Sequence, residues 1–185
     1  SSTDPGDQLP RIETLIRQPG LMVLDAAALD LIAFSLVEAV CVITPHAGEL
    51  ARLLNRLGHP CERPEIEADP AAFAEIAANL TGQTVLLKGH QSVISNGTDV
   101  WSCPPGPPAL ATAGTGDVLA GILGALLAAN SAEIISGELT VIQVAAAAVQ
   151  VHSRAAEIAS ANGPITALDV ANSIRLVIGE IYRAD

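Results

Sequence analysis

The sequence predicts an α/β domain with a mostly parallel sheet and helices on both of its faces. Two observations lead there. Short apolar runs (Leu21-Met22-Val23-Leu24, Val40-Cys41-Val42-Ile43 and Thr84-Val85-Leu86-Leu87-Lys88) alternate with longer stretches of helical period. Strands buried on both faces read as such continuous runs, not as an apolar/polar alternation. Aromatic residues make up only 2% of the 185 residues while hydrophobic ones make up 50%, which suits helices that cover a sheet with Ala, Leu, Val and Ile. The length fits one domain with a sizeable core, and no internal repeat or linker divides it.

Each element has its own signal. After the run at 21–24 comes Asp25, then a helical stretch with Leu29, Ile32 and Ala33 on one side. After the run at 40–43, Thr44-Pro45 is expected to open a helix, Thr44 as N-cap and Pro45 in the first turn. Leu50, Leu53, Leu54 and Leu57 form its apolar stripe, and Gly58 can stop it. Residues 59–70, punctuated by Pro60, Pro64 and Pro70, read as a polar loop. An alanine-rich helix is expected from Pro70 to Leu80, ending near Gly82. Ser92–Ser95 and Asp99–Ser102 flank Asn96-Gly97, a strong hairpin signal. Cys103 to Pro108 reads as a Pro/Gly loop. Gly114-Thr115-Gly116 then leads into a helix with Val118, Leu119, Ile122, Leu123, Leu126 and Leu127 as apolar positions. Its remaining positions are small (Ala120, Gly121, Gly124, Ala125 and Ala128), so the helix can approach its neighbours closely. Two more helices are expected, roughly 138–160 and 167–181, separated by Asn162-Gly163-Pro164.

Charge narrows the function classes. Nine Lys and Arg stand against twenty Asp and Glu, a formal net charge of −11. Polymeric nucleic acid and anionic membrane surfaces both need clustered cations, so neither is an expected partner. Val141–Val151 is interrupted by Gln143 and Gln150 and reads as a buried helix, not a membrane span. Residues 1–6 have no cationic region and no apolar core, unlike a secretory signal. The three cysteines, Cys41, Cys61 and Cys103, show no CxxC spacing and suggest neither a disulfide framework nor a zinc site. A cytoplasmic location is expected.

Three segments can carry chemistry. Gly114-Thr115-Gly116-Asp117 is a glycine-rich turn at a helix start, where free N–H groups and the helix dipole attract an anion. Asp117 beside it either caps the helix or takes a proton from a hydroxyl that attacks a phosphoryl group. Thr44-Pro45-His46-Ala47-Gly48-Glu49 lies at a strand's carboxyl end, where open α/β sheets bind ligands. His46 can bond a ligand there, and Glu49 can hold magnesium directly or through water; both also fit a solvated first turn. In Lys88-Gly89-His90-Gln91-Ser92, Lys88 is the only lysine of the chain. It suits a phosphate as a compact point charge. Gly89 lets backbone approach a ligand and Ser92 can bond a phosphate oxygen. All three segments follow strands and share one edge of the expected sheet.

The order of these motifs, together with Leu24-Asp25-Ala26-Ala27-Ala28-Leu29 and the continuation Val118-Leu119-Ala120-Gly121, resembles the ADP/ATP-dependent NAD(P)H-hydrate dehydratases of the ribokinase-like superfamily. The resemblance spans roughly residues 3–180. Gly-Thr-Gly-Asp alone is shared with many kinases; its long form joined to Thr-Pro-His-x-Gly-Glu is specific. The resemblance implies repair of NADHX and NADPHX, the hydrated reduced nicotinamide cofactors. The terminal phosphoryl group of ADP or ATP passes to the ring hydroxyl, and phosphate then leaves to restore the double bond. It implies Asp117 as the base and as a substrate contact, with His46 also on the hydrated cofactor. It implies an anion hole of Gly114, Thr115 and Gly116. Lys88, Gly89, His90, Gln91, Ser92 and Gly116 would bind the nucleotide, and Glu49 would help place Mg2+. A homo-oligomer, by family expectation a tetramer, is implied as well.

Two departures qualify the resemblance. The family usually has a second Asp where this chain has Ala27. Thr3-Asp4 resembles a point well inside the family's domain, so the chain reads as its C-terminal portion, 1–185. A sheet without its opening strands exposes an apolar edge, and the chain alone is expected to fold poorly or to need a partner segment. A ribokinase-like kinase of a small alcohol, such as a vitamin precursor, and a non-catalytic nucleotide-binding fragment are the alternatives.

Overall fold

The structure, a computed structural model, describes residues 12–31 and 34–183. The expectations for Thr3-Asp4 and for Ile32 and Ala33 lie outside the described residues. Among the described residues, five strands form one sheet in the order β1-β2-β3-β4-β5: β1 (Leu21–Leu24), β2 (Val40–Ile43), β3 (Thr84–Leu87), β4 (Val93–Ser95) and β5 (Val100–Ser102). The first three run parallel, with Leu24 opposite Ile43 and Ile43 opposite Val85. The hairpin β4–β5 is added antiparallel to β3. Parallel pairing thus holds where helical crossovers join the strands, and gives way where a short turn does.

Residues 12–16 are helical, and the helices after β1 are α1 (Ala27–Leu31), α2 (Ala47–Arg56), α3 (Arg63–Ala68), α4 (Pro70–Thr81), α5 (Thr115–Ala129), α6 (Ser131–Ser136), α7 (Val141–Ser160) and α8 (Ala167–Ile181). They cover the sheet from both sides, and the pleat sorts the strand residues between two cores. Leu24, Cys41, Ile43, Val85, Leu87 and Val93 face one core, with Leu50, Leu53 and Leu54 of α2, Ile66 of α3 and Ala74, Ala77 and Ala78 of α4. Val42, Leu86 and Ile94 face the other, with Leu119, Leu123 and Leu127 of α5, Ala145 and Ala148 of α7 and Val170 and Val177 of α8.

Several local expectations change. The N-cap of α2 is His46, not Thr44. Thr44 is buried and its hydroxyl donates to the Leu24 carbonyl at 3.4 Å, while Pro45 O accepts from the Lys88 N–H at 2.7 Å. The chain after β2 stays extended for two more residues to meet β3, and the helix starts later. Residues 59–70 are not wholly loop. Pro64 opens α3 in its first turn, and Ile66 is fully buried. In the hairpin, Asn96 N–H donates to Asp99 O, so Gly97-Thr98 form the turn's centre; Asn96 Oδ1 instead accepts from the Thr98 and Asp99 N–H groups. α6 and the 3-10 turns at Phe34–Leu36 and Pro108–Ala111 are additional. Gln143, an interruption in an apolar run, closes a capping box with Thr140 at the start of α7.

The small residues of α5 divide by face. At Gly124 a Cβ would stand 4.0 Å from Val23 of β1, an ordinary van der Waals contact, so an alanine would also fit against the sheet here. Gly121, Ala125 and Ala128 face outward. No helix among the described residues is long and apolar enough to cross a membrane.

Leu123 is fully buried on α5 against the sheet. Leu123→Ala should lower unfolding free energy by roughly 2–5 kcal/mol. Ala125→Ser, on the exposed side of the same helix, should change it by less than ~0.5 kcal/mol; urea titration of both variants tests the layering.

Candidate active site

The carboxyl ends of β1, β2 and β3 bring the sequence motifs together. Lys88 follows β3 directly, and its Nζ donates to Asp25 Oδ1 at 2.6 Å, just past the end of β1. The two side chains are 19% and 15% exposed, so the pair is largely withdrawn from water and weakly screened. Glu49 of α2 brings a second carboxylate, with Oε2 3.9 Å from the same Nζ. His46 pairs with Lys88 in an isolated parallel bridge, which extends β2 and β3 by one step into the site.

His46 is fixed by its capping role. Its Nδ1 accepts from the N–H groups of Gly48 at 3.0 Å and Glu49 at 3.2 Å. Glu49 Oε2 returns the bond from the His46 N–H at 2.8 Å. With Nδ1 accepting, the proton of the neutral ring is on Nε2. That nitrogen is 3.6 Å from Glu49 Oε2, on a side chain 54% exposed. It is the ring's free hydrogen-bonding edge.

Gly114 adopts a left-handed conformation, φ 86°, at the start of α5, and a Cβ there would lie 3.2 Å from Ala167. The left-handed φ favours glycine, and the tight approach to Ala167 adds to that preference. Thr115 faces inward. Its side chain is 5% exposed, its hydroxyl lies 2.8 Å from both Leu110 O and Thr112 O, and its N–H donates to Thr112 O. The next N–H groups, of Gly116 and Asp117, belong to the helix's first turn, which has no intrahelical acceptors for them. A Cβ on Gly116 would lie 3.5 Å from Lys88 Nζ. The only lysine thus abuts the positive end of α5, where the dipole alone disfavours a cation. Asp25 supplies the charge that holds it there. Asp117 is exposed beside this point.

The rest of the lysine segment serves a cleft. At Gly89 a Cβ would stand 3.3 Å from Gln91 O, a tight contact with the turn's own backbone. His90 and Gln91 are exposed, and the carbonyls of His90 and Ser92 accept from the N–H groups of Gly106 and Cys103, both at 2.9 Å. The cleft, of about 790 Å³, has His46 and Lys88 to Gln91 on one side and Arg63, Ile66 and Glu67 of α3 on the other.

Sequence reasoning missed Asp25 as a site residue. Its signal is an acidic residue directly after a buried strand, in a chain whose one lysine also follows a strand. Ala26, next to it, has φ 52°, a left-handed backbone unusual outside glycine and found at functional turns. Also missed is His152 of α7, which is 5% exposed and whose Nε2 has no hydrogen-bond partner.

A lysine–carboxylate pair at the strand ends thus stands against a glycine-started helix. The fold is ribokinase-like: a ribokinase-like superfamily protein of Enterococcus faecalis superposes with TM-score 0.69 at 22% identity, covering 93% of this chain and 58% of that one. The family model described as NAD(P)H-hydrate dehydratase matches residues 7–175, and the chain belongs to that family. An ADP-dependent (S)-NAD(P)H-hydrate dehydratase of Neisseria meningitidis is 32% identical over 154 residues, 79% of this chain and 48% of that protein. A bifunctional NAD(P)H-hydrate repair enzyme Nnr of Gloeobacter violaceus is 44% identical over 116 residues, 59% of this chain and 21% of that one. The ADP/ATP-dependent NAD(P)H-hydrate dehydratase of Bacillus subtilis, co-crystallized with ATP/Mg2+, superposes with TM-score 0.72 at 27% identity, covering 86% of this chain and 55% of that one. The chain spans between about a fifth and a half of the length of these curated relatives.

Burial pushes the His152 imidazole down from 6.5 to about 4, and a hydrogen bond to the Thr115 backbone offsets only part of this. The folded ring is neutral where the unfolded one takes up a proton. Stability should therefore fall as pH drops from about 6.5 toward 4, by up to roughly 1.4 kcal/mol per unit. Urea unfolding at pH 7 and pH 5 checks this, and His152→Leu should flatten that limb.

Proposed function

We propose that this chain carries the nucleotide and reaction centre of an ADP- or ATP-dependent dehydratase of NADHX or NADPHX, and forms the later portion of one ribokinase-like domain. The observation that supports it best is Lys88 Nζ held by Asp25 at 2.6 Å against Gly116 at the start of α5. Two sources of positive potential meet there, and a transferring phosphoryl group needs both. Gly114 shapes the turn, and the N–H groups of Gly116 and Asp117 point at the phosphoryl oxygens. Thr115 supports that anion hole from behind through its bonds to Leu110 and Thr112. Asp117 takes the proton of the ring hydroxyl as it attacks the terminal phosphorus. Phosphate then departs from that ester with the C–O bonding pair, and the adjacent ring carbon gives up a proton to water as the ring double bond forms. His46 offers Nε2–H to the hydrated cofactor. Lys88 to Ser92 follow the nucleotide's phosphates along the cleft.

Magnesium fits this site in part. Among the described residues no group of three or more His, Cys, Asp or Glu side chains is arranged to hold a metal. Magnesium commonly relies on one or two carboxylates, waters and substrate phosphates. Glu49 uses Oε2 for the cap and keeps Oε1 for such a role. Bound there, the ion would neutralise charge on the phosphates. A homo-oligomer is part of the same reading. So is a cytoplasmic location. Among the described residues no strand pairs with the outer edge of β1, which together with the partial coverage of the relatives supports a further segment completing the substrate pocket.

Purified chain given NADHX with ADP or ATP should restore dihydronicotinamide absorbance. Turnover of a small alcohol without that signal would instead make it a kinase, and nucleotide binding without turnover a non-catalytic fragment. Asp117→Asn should reduce turnover ~10²–10⁴-fold while nucleotide stays bound. Lys88→Ala should weaken nucleotide affinity about 10-fold or more in calorimetry, the loss of one charge-assisted contact.

A further inference from the structure

The cleft holds a second cation that the roles above leave unused. Among its described lining residues, Lys88 and Arg63 carry permanent positive charge, one from the segment after β3 and the other from α3. Much of the remaining lining is apolar, with Ala47, Ile66, Pro70 and Leu87. At about 790 Å³ the cleft is of a size that takes a small organic ligand. Two cations on separate walls suit a ligand with negative charge at more than one point.

Arg63 is the first residue of α3, in the turn where a helix favours carboxylates and disfavours cations. Its ion pair with Glu67 is exposed on both sides, at 69% and 50%, and pairs of that kind add little to stability. An arginine in this place therefore breaks a local rule without a gain in stability to offset it.

The side chain is also well mounted. Ile66, on the same helix, is fully buried. Glu62 and Glu65 close a capping box at the helix start. Asn55 Nδ2 of α2 donates to the Cys61 carbonyl at 2.7 Å, which ties the approach to α3 onto α2. Arg63 Nε donates to Glu67 Oε1 at 2.7 Å. That bond orients the guanidinium and uses one of its edges. Nη1 and Nη2 have no hydrogen-bond partner among the described residues. Together they form a planar fork that matches two oxygens of one phosphate. Glu67 offsets the long-range charge of the pair, so the fork acts on an oxygen in contact with it.

We propose that Arg63 is a phosphate-binding residue: its Nη1–Nη2 fork takes the phosphate that is not transferred, the α-phosphate of ADP, across the cleft from Lys88, which takes the terminal one. The occupant rests on the nucleotide reading above; the free fork and its mount do not.

Arg63→Gln in the full chain removes the charge and the fork from an exposed side chain. Calorimetry should show ADP and AMP each bound ~10-fold more weakly, and adenosine bound within ~2-fold of the unsubstituted chain. A loss for ADP without one for AMP, an equal loss for adenosine, or no loss for either nucleotide overturns the proposal. In turnover of NADHX the KM for ADP should rise while kcat stays within ~3-fold, the mark of binding that is equal in ground and transition states. A fall in kcat at unchanged KM overturns it as well. If the unsubstituted chain binds neither ADP nor AMP, the nucleotide reading fails, and inorganic pyrophosphate decides the role of Arg63 alone. Pyrophosphate binding that Arg63→Gln weakens ~10-fold supports the fork; binding that it leaves unchanged, or no binding at all, refutes it.

Discussion

The ion pair between Lys88 and Asp25 is the interaction on which the site depends. It joins the ends of β1 and β3 across the intervening β2, 63 residues apart in the chain. It also sets a cation beside the positive end of α5, which is stable only because a carboxylate accompanies it. An anion arriving at that place meets the lysine, the helix start and free backbone N–H groups together. The overall charge of −11 is therefore no obstacle to a nucleotide. In the proposed function its phosphates are met by local potential, not by a basic surface.

The layering of the fold makes this arrangement possible. Parallel β1, β2 and β3 send their carboxyl ends to one edge, and each is followed by a segment that contributes to the site. The pleat separates two cores, so helices α2 to α4 and helices α5, α7 and α8 approach the same edge from opposite faces. His46 illustrates the coupling between fold and function. The nitrogen that caps α2 cannot also face a ligand, so the cap selects which edge of the ring is offered. Thr115 shows the same economy: its hydroxyl and N–H lock the turn, and the neighbouring N–H groups remain open.

Much of this was legible in the sequence. The three parallel strands were visible as four-residue apolar runs, and α4 as an alanine-rich segment between Pro70 and Gly82. The start of α5 was marked by Gly114-Thr115-Gly116. Local rules failed where tertiary contacts competed with them. Thr44 looks like an N-cap, but its hydroxyl is used on Leu24 of the neighbouring strand. Proline-rich residues 59–70 look like loop, but Ile66 fills the core and carries α3 with it. Asp25 is one acidic residue among many in an acidic chain, and only its distance to Lys88 distinguishes it.

The sequence by itself determined the fold class and the family, and it singled out the segments proposed to carry chemistry. Periodicity, turn chemistry and motif spacing are local properties of the chain, and local properties survive without coordinates. Only the tertiary structure decided which of these groups face one another. It paired the sole lysine with Asp25, turned Thr115 inward, and gave His46 a capping nitrogen and a free one. Each of these depends on residues tens of positions apart meeting at one sheet edge, and such meetings are written in packing, not in spacing along the chain.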